Sequence, residues 1–102
     1  MKVYWTKFAL SSLADIYRYY KVNVSVDVAN KIRNNVISSS KQLVNNSLSG
    51  STEDLLVDLL EGHRYLVRGN YKIIYKISNK KVYITDVFDT RQNPNKIIER
   101  NE

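Results

Sequence analysis

The sequence predicts an α+β domain: an N-terminal strand, then an antiparallel helical hairpin packed on one face of a mostly antiparallel sheet, in the order β-α-α-β-β-β. Three observations carry this reading. Two successive apolar runs at three- and four-residue spacing fill the first half of the chain. An alternating stretch then turns at Gly69-Asn70, and the nearly continuous apolar run from Val82 to Val87 follows it.

Lys2 to Thr6 alternate and carry Val3, Tyr4 and Trp5, which suits a short strand, and Thr6 is placed to cap a helix. From Phe8 to Lys21, Ala9, Leu13, Ile16, Tyr17 and Tyr20 fall at offsets of 0, 4, 7, 8 and 11, one face of an amphipathic helix. Asn23 interrupts, Ser25 offers a second cap, and Ala29, Ile32, Val36, Ser40 and Leu43 repeat at helical steps. Helices joined so briefly pack antiparallel.

Asn45 to Ser51 is a turn-rich loop, and Leu55 to Leu60 fits either a buried strand or a helical turn before Glu61-Gly62-His63 breaks it. Arg64 to Arg68 and Tyr71 to Ser78 flank Gly69-Asn70, a favoured two-residue hairpin turn. Tyr71, Ile73, Tyr75 and Ile77 share one strand face, and Lys72, Ile74, Lys76 and Ser78 the other. Asn79-Lys80 turns the chain again, and Val82 to Val87 shows so little polar alternation that a central strand covered on both faces is expected. Pro94 stops the sheet. Residues 1–94 are therefore expected to form a single domain, and 95–102 a polar tail or short helix.

The 102 residues suffice for one core of modest size, and a chain this short buries a smaller share of its surface than a larger domain does. Sixteen Lys and Arg against ten Asp and Glu give a net charge of +6. Six of the basic residues (Arg64, Arg68, Lys72, Lys76, Lys80, Lys81) lie between Gly62 and Thr85, where no acidic residue occurs. Such a stretch attracts a polyanion, or else guards a solvated sheet against aggregation. With no cysteine and one histidine, disulfides, thiolate chemistry and an ordinary zinc site are not expected, and no cofactor is implied. No apolar run reaches membrane-spanning length and the first residues lack a signal-peptide core, so a cytoplasmic protein without a membrane partner is expected.

Three motifs in this order resemble the RelE/ParE superfamily of toxins from bacterial type II toxin–antitoxin modules, which includes plasmid stabilisation proteins. They are the opening Val3-Tyr4-Trp5-Thr6 strand with its helix, the strand Gly69-Asn70-Tyr71-Lys72-Ile73-Ile74-Tyr75, and the closing Val87-Phe88-Asp89-Thr90-Arg91-Gln92-Asn93-Pro94. The resemblance implies a growth-arresting toxin neutralised by a cognate acidic antitoxin, as a homodimer or a toxin–antitoxin heterotetramer. ParE-like members poison DNA gyrase; RelE-like members cut ribosome-bound mRNA through the RNA's own 2′-hydroxyl.

That cut needs a base, an acid and fixed cations for charge growing on phosphorus. By resemblance, the catalytic candidates for a RelE-like member are Arg64, Lys72 and Arg91. Lys72 stands where the family carries a basic residue, often Arg, but lacks Arg's bidentate fork. Arg91 ends the last strand, with pairing to Asp89 as its plain alternative. RelE-like ribonucleases often place two lysines near Arg64; Arg64-Tyr65-Leu66-Val67 holds at most one of the two cations. A two-residue turn at Gly69-Asn70 would set Lys72 opposite Val67, away from Arg64, and a one-residue slip would reverse that.

His63 reads as an exposed loop residue. Asp86 and Asp89, three apart on a strand, fall on opposite faces and make no dyad. Most of the eight tyrosines read as core with a polar tip, leaving Tyr65 and Tyr83 as candidate base-stackers. The thin set of catalytic lysines and the long helical hairpin favour a ParE-like toxin. The alternatives are a RelE-like endoribonuclease and a basic nucleic-acid-binding module without chemistry.

Overall fold

The computed structural model describes residues 1–101. β1 (Lys2–Trp5) leads into α1 (Lys7–Asn23) and α2 (Val26–Lys41). The Thr6 hydroxyl accepts from the Ala9 amide and the Ser25 hydroxyl from the Val28 amide, so both helices start at the expected caps. After a short 3-10 turn come β2 (Ser51–Thr52), a 3-10 helix (Asp54–Leu59), β3 (Arg64–Arg68), β4 (Tyr71–Ser78), β5 (Lys81–Asp89) and α3 (Lys96–Asn101). The ambiguous Leu55–Leu60 run thus resolves as 3-10 helix, closed by Leu60 in the left-handed region at φ 56°.

The five strands lie in the order β1-β5-β4-β3-β2. β1 pairs parallel with β5 and every other pair is antiparallel. The parallel pair joins the first strand to the last, with the helical hairpin and the other three strands lying between them in sequence. Arg68 pairs with Tyr71 and Val67 with Lys72, the register of a two-residue turn at Gly69-Asn70.

The α1–α2 hairpin covers one face of the sheet. Ala9, Leu13 and Val36 pack there with Ile73, Tyr75, Val82, Ile84 and Val87. The same helical stripes that the spacing predicts carry the core, since Ala29, Ser40 and Leu43 are buried too. A β-bulge sits between Ile74 and Tyr75: Ile74 pairs with Asp86 and Tyr75 with Ile84, leaving Thr85 unopposed. Strict alternation would send Val87 away from the helices if Ile84 faced them. The bulge shifts the phase, so Ile84 and Val87 both join the helix-side core.

The opposite face is not bare, in keeping with a last strand covered on both sides. Half of it is covered: Leu56 of the 3-10 helix and Ile97 of α3 close over Ile74 and Phe88. His63 corrects the expectation of an exposed loop residue. It is 3% exposed rather than a solvated loop residue, because the break after Leu60 folds inward and the His63 carbonyl accepts from the Glu53 amide at 2.9 Å.

Candidate functional site

The three candidate cations belong to three separate environments. Arg64 shares the helix-side sheet face with its partner Tyr75, and its guanidinium donates to the Gly50 carbonyl at 2.8 Å. Gly50 is itself buried, its amide donating to the Tyr75 hydroxyl at 2.9 Å. Lys72 points from the other face of the sheet. Its ammonium lies 2.8 Å from a carboxylate oxygen of Glu53 and 4.2 Å from the centre of the Tyr65 ring. Glu53 is buried and caps the 3-10 helix by accepting from the Leu55 amide, so this lysine neutralises a structural carboxylate.

Arg91 sits beyond the end of β5. It holds both oxygens of Asp89, with Nη2 at 2.8 Å and Nε at 3.0 Å, and it donates to the Tyr20 hydroxyl at 3.2 Å. The Tyr71 hydroxyl donates to Tyr20 as well, at 3.1 Å. Two donors on one phenol oxygen favour its ionised form, so the Tyr71 and Arg91 hydrogen bonds push the Tyr20 hydroxyl below the usual tyrosine range. Burial, and donation to Tyr20, push Tyr71 the other way. Asp89 is held low by its bonds from Arg91.

Arg64 and Lys72 therefore lie on opposite sheet faces, and each of the three cations is engaged by a neighbour. His63 does not supply an acid or base to any of them. Its Nε2 lies 3.8 Å from Glu61, its Nδ1 has no partner among the described residues, and burial pulls its pKa below the ordinary imidazole value. Lys76 pairs with Glu61 at 3.0 Å, so the acid-free stretch of sequence is neutralised in part by Glu53 and Glu61 just upstream. Asp86 and Asp89 lie on opposite faces, paired with Ile74 and Tyr71 respectively.

What the structure does assemble is an exposed apolar groove with a basic rim on the helical hairpin. The hairpin's outer side carries an apolar groove of about 440 Å³ with Leu10, Leu13, Ala14 and Tyr17 of α1 facing Ile37 of α2. Arg18, Lys21 and Arg33 rim it, and the Arg33 guanidinium lies 4.8 Å over the Tyr17 ring. At the hairpin tip Tyr19, Val22, Val24 and Val26 are all exposed. The α1 stripe read from the sequence includes Leu13 and Tyr17 but not Leu10 and Ala14, which with Tyr17 at i, i+4 and i+7 mark this second stripe.

Among the described residues no helix is long and apolar enough to cross a membrane, and no three His, Cys, Asp or Glu side chains converge on a metal position. The family model for the ParE toxin of type II toxin–antitoxin system, parDE, matches residues 3–94. No curated protein matches the chain. Among solved structures, one described as the chromosomal ParDE TA system from P. aeruginosa superposes with a TM-score of 0.73 at 22% identity, covering 87% of this chain and 95% of that one. At that identity the likeness speaks for the fold.

Proposed function

This chain belongs to the ParE toxin family of type II toxin–antitoxin systems, and from that premise we propose that it arrests growth by inhibiting DNA gyrase until an acidic antitoxin neutralises it. The observation that supports gyrase over mRNA cleavage is the dispersal of Arg64, Lys72 and Arg91, two on opposite sheet faces and all three bound to neighbours. General acid–base cleavage of RNA requires converging groups. Toxicity exerted through a surface requires none.

The hairpin groove supports the partner. Its apolar floor and its rim of Arg18, Lys21 and Arg33 suit an amphipathic helix with acidic flanks, which buries apolar surface while matching charge. A protein of net charge +6 also attracts an acidic chain at long range.

Induced expression followed by pulse-labelling of DNA and protein synthesis in one culture tests the target. DNA synthesis should fall first, and purified protein should block supercoiling by gyrase; an early fall in protein synthesis would reverse the assignment. The double substitution Lys72→Ala and Arg91→Ala should leave toxicity intact if the protein stays folded. Co-expression of an adjacent acidic antitoxin should restore growth, and Leu10→Glu or Arg33→Glu in the groove, at positions outside the core, should weaken that rescue while leaving toxicity intact.

A further inference from the structure

The half of the outer sheet face that α3 and the 3-10 helix leave open carries an unusual set of side chains. Tyr4 of β1 pairs in register with Tyr83 of β5, and their rings stack at 5.7 Å between centroids with 25° between planes. Val3 and Trp5 pack into the helix-side core, so by alternation Lys2 and Tyr4 face outward. Lys2 pairs with Lys81, whose ammonium lies 5.7 Å from the Tyr4 ring centre, and Lys76 pairs with Tyr83 across β4 and β5. Lys2 and Lys81 are exposed and Tyr4 is 40% exposed.

Two flat rings flanked by three lysines on a pleated surface make a platform of one chemical type. Lys76 is held by the Glu61 carboxylate at 3.0 Å, which leaves Lys2 and Lys81 as the exposed cations. Toward Lys76 the face runs into a pocket of about 200 Å³ whose lining includes Thr6, Thr85, Glu61, His63 and Arg100. Aromatic rings on a sheet offer π-faces to unpaired bases, and lysines beside them meet the phosphates between those bases. An acidic peptide would use the lysines and leave the rings idle. A duplex keeps its bases stacked inside and would leave them idle too.

We propose that this open half-sheet binds single-stranded nucleic acid, with bases stacked on Tyr4 and Tyr83 and the backbone held by Lys2 and Lys81. The site lies on the sheet face opposite the helical hairpin and is independent of the gyrase and antitoxin assignments. Stacking and phosphate attraction are common to DNA and RNA, so the test uses both.

Fluorescein-labelled oligothymidylate and oligouridylate are titrated with the full chain by anisotropy, beside a duplex of equal length and a polyglutamate peptide. Single strands should bind tighter than either comparator. Tyr4→Ala should weaken them about tenfold, within the range for removing a base-stacking aromatic, and Tyr4→Phe should not. Lys2→Ala and Lys81→Ala, both at exposed positions, should each lower the slope of log K against log salt by about 0.7. Preference for the oligouridylate or the oligothymidylate would identify the source of the strand. The proposal is overturned by no binding, by equal binding of duplex or polyglutamate, by an unchanged affinity in folded Tyr4→Ala, or by an unchanged salt slope in both lysine variants.

Discussion

Arg100→Ala should be among the most damaging single substitutions in this chain, although the residue lies near its C-terminal end. Asp86 is 0% exposed, and Arg100 supplies its charge partner through Nε at 2.9 Å and Nη2 at 2.8 Å. Ser12 and Asn101 add one weaker donor each, at 3.2 and 3.4 Å. The guanidinium also lies 5.0 Å from the Phe8 ring, so the bond joins α3 to both β5 and α1. Truncating one member of a buried ion pair typically costs about 3–5 kcal/mol, because the other charge stays buried without compensation. Arg100's side chain is 30% exposed and water can enter its place, which sets the expectation at the lower end, about 3 kcal/mol. For a domain of this size that is a fall in Tm of about 12–24 °C.

The assay is urea unfolding followed by circular dichroism, run as a double-mutant cycle with Asp86→Asn. An amide needs no cation, so Asp86→Asn alone should cost about 1–2 kcal/mol through weakened hydrogen bonds. Adding Arg100→Ala to it should cost little more, giving a coupling of at least about 1.5 kcal/mol. Arg100→Ala costing under about 1 kcal/mol, or additive effects in the cycle, would refute the claim that the guanidinium keeps Asp86 buried.

Other outcomes follow from the same reasoning. A methyl group on Gly50 would sit 2.5 Å from the Tyr75 hydroxyl and 2.7 Å from the Tyr65 carbonyl, so Gly50→Ala should cost about 2–3 kcal/mol in thermal unfolding and less in a Tyr75→Phe background. Burial depresses the His63 pKa in the folded protein, so the unfolded chain binds the proton more readily and stability rises with pH across that window. Stability should be full above about pH 6.5 and decline as pH falls below it; His63→Gln should flatten the urea midpoint between pH 7.5 and 5.5. In an alkaline titration read at the tyrosinate absorbance band, the earliest step should belong to Tyr20 and vanish in Tyr20→Phe, while Arg91→Ala should move it upward.

Much of this fold is local and therefore legible. Thr6 and Ser25 cap helices because a hydroxyl reaches its own backbone three residues on, and Gly69-Asn70 turns a hairpin because of the conformations those residues adopt. The stripe Ala29, Ile32, Val36, Ser40, Leu43 faces the core by helical geometry alone. One local reading fails. The Glu61-Gly62-His63 turn reads as exposed, and nothing in the sequence announces that the His63 carbonyl is captured by the Glu53 amide. The unalternating last strand implies cover on both sides, but which segments supply it, Leu56 of the 3-10 helix and Ile97 of α3 over Ile74 and Phe88, is not written in its pattern.

The sequence by itself determined the order of elements, the helix caps, the separation of Asp86 from Asp89 and the family motifs, all of them consequences of residue type and spacing. The tertiary structure alone decided the partners of the charges. Glu53 reaches Lys72 across 19 positions, Asp86 reaches Ser12 across 74, and Tyr4 meets Tyr83 through the parallel pairing of the first and last strands. A strand pattern specifies which side chains share a face, but its pairing partner, and any bulge that shifts its phase, is chosen by how the whole sheet closes against its helices.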